Sequence, residues 1–252
     1  MNKKKFLKGF LEFIVEFLKA VLAGISISIG ALAFLSAENK TAGSLFFTIG
    51  LFLVLFFDFN LFTGKVCFSL DQKPKYIFNL IVIWIGNFCG ALLAGGAFSL
   101  TRLDYLSQKC MEICETKLND SLLSVFVLAI FCNLLIFVAV YGYKKADESW
   151  KKVLALFFGV SVFVLCGFEH CVADMFYFVF GGVLSGKILL YLLVITCGNI
   201  IGGLLLPVLL KIFDRAKENV NIVEKKENVN QVHQGNKNLD TKNQDSEFRN
   251  KD

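Results

Sequence analysis

The sequence predicts an all-α membrane protein of six spanning helices, arranged as two opposed halves of three, with the second helix of each half broken. Three observations predict it. Of 252 residues, 56% are hydrophobic and 28 are Phe, against about 45–50% apolar residues in an ordinary soluble domain. The charged residues crowd into the two ends and the short links between apolar stretches. A short glycine–asparagine motif recurs in the last span of each half, and polar residues interrupt the middle of the second. Mean hydropathy reaches +0.62 with the polar tail included. This composition excludes a soluble enzyme, a disulfide-rich secreted domain and a nucleic-acid module. The net charge of +5 comes from Lys residues flanking apolar blocks, not from one basic face, so no nucleic-acid partner is expected.

A spanning helix needs about 20 mostly apolar residues. Six stretches meet this: 20–37, 43–70, 76–100, 118–142, 153–183 and 187–212. Residues 1–19 mix Lys3, Lys4, Lys5, Lys8, Glu12, Glu16 and Lys19 with apolar residues, the pattern of an amphipathic helix lying at the cytoplasmic interface. Residues 20–212 make up the six-span domain, with halves expected at about 20–100 and 117–212. Residues 213–252 are polar without sustained apolar periodicity and are expected to be a disordered cytoplasmic tail. Lys and Arg are denser at the N-terminus, in the 71–75 and 143–152 links and in the tail than in the opposite links. A multi-pass protein of the cell membrane with both termini cytoplasmic follows from that bias.

The third span contains Gly86-Asn87-Phe88-Cys89-Gly90-Ala91-Leu92-Leu93, and the sixth contains Gly198-Asn199-Ile200-Ile201-Gly202-Gly203-Leu204-Leu205. Three spans is an odd number, so the second half enters the membrane from the opposite side, an inverted repeat common among transport proteins. The glycine pairs also have the spacing of close helix packing, and the two readings are compatible.

The second span of each half is too long and too polar. As straight helices, 43–70 and 153–183 would measure about 42 and 46 Å against a hydrocarbon core near 30 Å. The first carries Asp58, Asn60, Thr63 and Lys65 in its middle, the second Glu169, His170 and Asp174. Five ionisable groups facing lipid would cost more than about 10 kcal/mol, so they must face protein or water. Irregular backbone at that depth is tolerated only where it is buried or lines a cavity. Two broken helices meeting near the midplane around a pathway are therefore expected. An interior network that merely locks helices together is the plainer reading of Asp58 with Lys65 and of Glu169. His170 is the sole histidine within the spans.

At these residues the chain resembles the formate/nitrite transporter family. Leu61-Phe62-Thr63-Gly64 is similar to its LFTG loop, and Gly167-Phe168-Glu169-His170 followed by Val172-Ala173 to its GFEHxxAN loop. Cys132-Asn133-Leu134-Leu135 and Gly198-Asn199-Ile200-Ile201-Gly202-Gly203 are similar to its fourth-span and sixth-span segments. The resemblance implies an aquaporin-like protomer with its own pore, a homopentamer in the lipid bilayer, and passage of small monovalent anions or their weak acids. It implies no cofactor and no enzymatic activity. It makes His170 the central pore histidine, Thr63 its neighbour, Lys117 a buried lysine beside the pathway and Asn199 the sixth-span asparagine. Apolar constrictions would be Leu51, Leu61, Phe62, Phe163 and Phe47. Glu169 would orient its loop. Three departures from the pattern, Asn60, Lys65 and Asp174, turn the reading within this class from formate or nitrite toward hydrosulfide.

A bare anion is expensive to desolvate in an apolar constriction, and a neutral acid is not. Lys117 would concentrate anions, helix N-termini at the breaks would offer N–H groups, and His170 with Thr63 would donate at the centre. Histidine is also the side chain suited to lending a proton near neutral pH. An aquaporin-like channel for neutral solutes is the alternative, although neither Asn60 nor Asn199 is followed by Pro. Six of the eight cysteines lie in spans as small hydrophobes, and Cys110 with Cys114, four apart in the 101–117 link, are left open between thiols and a disulfide.

Overall fold

Capping chemistry sets where these apolar stretches begin and end. A computed structural model describes the backbone of residues 3–183 and 185–249. It contains α1 (Lys3–Ser36), α2 (Lys40–Phe56), α3 (Phe62–Val66), α4 (Tyr76–Ser99), α5 (Ser107–Asn119), α6 (Leu122–Lys145), α7 (Ser149–Cys166), α8 (Cys171–Phe180) and α9 (Lys187–Arg249). Asn39 caps α2 by accepting from the Ala42 N–H at 2.9 Å, and Ser121 caps α6 by accepting from the Ser124 N–H at 3.1 Å. α7 stops at Gly167, whose φ of 73° is the left-handed conformation that ends helices. α2 stops just before Asp58, at φ 51°, a region that Asp tolerates better than most residues do.

Both expected breaks are present. The second span divides into α2 and the five-residue α3, and the fifth into α7 and the ten-residue α8. Among the described residues, five helices are long and apolar enough to cross a membrane, and α2 and α8 are shorter apolar helices. Large apolar side chains stand exposed on every one of the spans, Phe46, Phe78, Leu123, Phe158 and Leu189 among them. A surface of this kind suits lipid, and the chain is a multi-pass membrane protein.

The halves pack alike. α1 lies against α2 and α4, and α6 against α7. A Cβ on Gly86 would meet the Ala20 Cβ at 2.6 Å, and one on Gly198 would meet the Ala129 Cβ at 2.6 Å. One step along, Cβ atoms on Gly90 and Gly202 would strike the backbone carbonyls of Val21 and Ile130. The repeated glycines therefore serve packing and repeat together. The halves interlock through their short helices: α3 packs on α4 and α6, α8 on α4, α5 and α1.

Two expectations on the termini differ from the structure. The charged lead-in is not a separate helix, because α1 runs unbroken from Lys3 to Ser36. No Pro or capping residue divides it at 19–20, so the apolar part carries its helix back through the lead-in. The tail, expected to be disordered, is helical from 213 to Arg249, while 250–252 lie outside the described residues. Propagation onto an existing helix avoids the cost of nucleation, and the tail between 213 and 249 contains one Gly and no Pro to stop it.

Candidate functional site

Asparagines in the third helix of each half hold the two breaks. Asn87 Oδ1 accepts from the Phe62 N–H at 2.8 Å, and its Nδ2 donates to the carbonyls of Ala20 at 2.8 Å and Asn60 at 2.9 Å. Asn199 Oδ1 accepts from the Cys171 N–H at 2.9 Å, and its Nδ2 donates to the carbonyls of Ala129 at 2.8 Å and Glu169 at 2.9 Å. Each amide thus satisfies the backbone at the start of a short helix, the carbonyl just before it and the first helix of its own half. Both asparagines are fully buried. The first N–H of each short helix, on Phe62 and on Cys171, is thus taken by Asn87 and Asn199. The amide of Asn199 is likewise directed at backbone.

Thr63 on α3 and His170 before α8 meet at the centre, with Thr63 Oγ1 2.9 Å from His170 Nε2. His170 caps α8 by accepting at Nδ1 from the Ala173 N–H at 3.1 Å. With Nδ1 an acceptor, the neutral ring carries its hydrogen on Nε2 and donates it to Thr63. The hydroxyl hydrogen of Thr63 is left unused by that bond. Asn133 supports the pair from α6, donating to the carbonyls of Thr63 at 3.2 Å and Asn199 at 2.6 Å. Its part was missed in the sequence, although a lone asparagine inside an apolar span is a signal for buried backbone bonding.

Two cavities flank this centre. One, of about 270 Å³, is lined by Phe47, Phe163, Lys117, Glu169, His170 and Asp174 among others. The second, of about 150 Å³, is lined by Leu51, Leu61, Asp58, Lys65 and Lys144 among others. Phe163 stacks on the His170 ring at 5.7 Å and meets Phe47 edge-on at 5.8 Å. Phe47 and Phe163 therefore stand on one side of the centre, Leu51 and Leu61 on the other. Phe62 is buried but lines neither cavity.

Lys117 sits near the end of α5, which lies outside the spanning helices and is pinned at three points. Lys109 donates to the carbonyls of Leu35 at 2.8 Å and Ala37 at 3.1 Å, Cys110 Sγ donates to the Tyr177 carbonyl at 3.2 Å, and the Tyr191 hydroxyl donates to the carbonyls of Leu118 at 3.1 Å and Asp120 at 2.8 Å. Cys110 and Cys114 are free thiols. The Lys117 ammonium lies 2.5 Å from Glu169 Oε2 and 3.0 Å from Asp174 Oδ1. Burial works against its charge, but Asp174 and Glu169 outweigh burial and hold its pKa above the usual lysine range. Glu169 therefore anchors the break to α5. In the second cavity Asp58 Oδ2 is 3.2 Å from Lys19, and Asp58 Oδ1 is 4.0 Å from Lys65, both in partly exposed pairs. Among the described residues, no group of three His, Cys, Asp or Glu side chains could hold a metal ion.

Comparison with known proteins places this geometry. The family model for the formate/nitrite transporter matches residues 3–213. An uncharacterized transporter of Bacillus subtilis is 30% identical over 180 residues, 66% of this chain and 68% of that one. A formate channel of Bacillus thuringiensis is 31% identical over 183 residues, 67% of this chain and 70% of that one. A solved pentameric formate channel with formate bound superposes with a TM-score of 0.67 at 26% identity, covering 86% of this chain and 99% of that one. The family model's match spans both broken helices and the glycine–asparagine segments, and the chain described here belongs to the formate/nitrite transporter family.

Proposed function

We propose that each protomer is a channel for small monovalent anions or their weak acids, with Thr63 and His170 as the central donor pair. The observation that carries this reading is the Thr63–His170 contact, placed between two cavities and walled by Phe47 and Phe163 on one side and by Leu51 and Leu61 on the other. A solute crossing this point leaves nearly all its water behind. A neutral acid does so far more cheaply than an anion, and the Thr63 hydroxyl offers its one free hydrogen in return. Asn87, Asn133 and Asn199 hold the loops that present the pair. Lys117 positions the second break through its carboxylates. Formate-class acids fit this lining, and hydrosulfide is the narrower member to test beside them. The similar pentameric formate channel supports a homopentamer, in which each protomer has its own pore on this reading, and the Lys and Arg bias supports cytoplasmic termini, with the Lys117 cavity outside.

Flux of formate and hydrosulfide into proteoliposomes tests this. His170→Asn and Thr63→Ala should each lower flux at least about tenfold, a loss of roughly 1.4 kcal/mol at the barrier. Unchanged flux in both variants would remove the central site.

A further inference from the structure

The two breaks align residue for residue. Asn87 bonds Phe62 and Asn60, and Asn199 bonds Cys171 and Glu169 in the same way. Counting on equally from Phe62 and from Cys171 brings Lys65 to the place of Asp174. The charge at that place is reversed, and the cavities follow it. The Lys117 cavity sets two carboxylates against one ammonium. The second cavity has the opposite surplus. Lys65 and Lys144 line it together with Asp58. Asp58 is already divided between Lys19 at 3.2 Å and Lys65 at 4.0 Å. Lys144 has no salt bridge among the described residues; its ammonium stands over the Phe68 ring, 4.7 Å from the centroid, and is repelled by Lys65. Three ammonium groups thus share one carboxylate around a space of about 150 Å³. Like charges gathered at a cavity with apolar walls raise its potential, and a counter-ion lowers it.

We infer that the second cavity is a binding site for a small dianion of the phosphate kind, held between Lys65 and Lys144, and that the bound dianion plugs the pore. The inference rests on the channel reading above. Charge selects the ligand. Three ammonium groups against one carboxylate leave two positive charges, which one dianion cancels and one monoanion halves. Lysine ammonium groups suit the oxygens of such an ion, as point charges with three donors each. The dianion goes no further. The cavity wall toward the centre is Leu51 and Leu61. Stripping water from two charges costs far more than from one. A monobasic acid is neutral with a single proton, whereas a phosphate dianion needs two. The site therefore keeps its ligand at the entrance, where it blocks the smaller ions that cross.

Calorimetric titration of the purified full-length protein with sodium phosphate at pH 8, at an ionic strength held constant with sodium chloride, reads the binding. One phosphate should bind per protomer. Lys65→Met and Lys144→Met should each weaken binding about fivefold or more, and Asp58→Asn should tighten it about fivefold, the effect of one unit charge at about 4 Å across water. Asn accepts the left-handed backbone of position 58, and a misfolded variant does not gain affinity. Formate uptake into liposomes of neutral phosphatidylcholine, where no anionic headgroup replaces the added ion, reads the plug. Phosphate on both faces at ten times its Kd should lower uptake about tenfold, scored against each protein's own phosphate-free rate. Absence of phosphate binding overturns the inference. So does equal affinity in all four proteins, or inhibition matched by chloride at equal ionic strength. Formate flux without phosphate, above protein-free liposomes, keeps the channel reading standing in each of those cases; its absence removes both.

Discussion

The break between α2 and α3 and the break between α7 and α8 share a backbone plan and differ in almost every charged side chain. Both are held by an asparagine that joins a short helix, its preceding carbonyl and the first helix of its half. Around the first, Asp58 is exposed and makes loose pairs with Lys19 and Lys65. Around the second, Glu169 and Asp174 are buried against Lys117. The repeat therefore duplicates what the membrane demands, satisfied backbone in irregular segments. The charges are not duplicated, and each half brings its own.

The largest expected effect tests the shared part. Asn87→Ala and Asn199→Ala each leave one buried N–H and two carbonyls without a partner, at roughly 1–3 kcal/mol per group. Both should lose on the order of 5 kcal/mol, read as loss of folded protein in detergent unfolding curves. A large loss in one and a small loss in the other would break the equivalence of the two halves.

The next effect sharpens the difference. Lys117→Ala leaves two buried carboxylates without their counter-charge and should cost about 3–5 kcal/mol in the same assay. The smallest expected effect is at the first break, where Lys65→Ala removes a partly exposed charge and should cost under about 1 kcal/mol. Equal losses at Lys117 and Lys65 would mean that the two sides are electrostatically alike.

Much of this was legible in the chain. Polar residues stranded in overlong apolar spans located both breaks, and the recurring glycine–asparagine segment located the halves. The resemblance makes Phe47, Phe163, Leu51, Leu61 and Phe62 constrictions; the first two line one cavity and the next two the other. Phe62, at the start of α3, is buried and lines neither cavity. The destination of Asn199 was not legible either. An asparagine meant for substrate and one meant for backbone have the same spacing, and only the positions of Cys171, Ala129 and Glu169 tell them apart.

The sequence by itself determined the all-helical membrane class, the two opposed halves and the places where helices must break. Those follow from local matters: the length of apolar runs, the cost of charge in hydrocarbon and the conformations Gly and Asp accept. Only the tertiary structure decided which groups meet there. Thr63 and His170 are 107 positions apart and Lys117 and Glu169 are 52 apart. No local preference selects such pairs; they form because every buried donor, acceptor and charge must find a partner once the helices have packed.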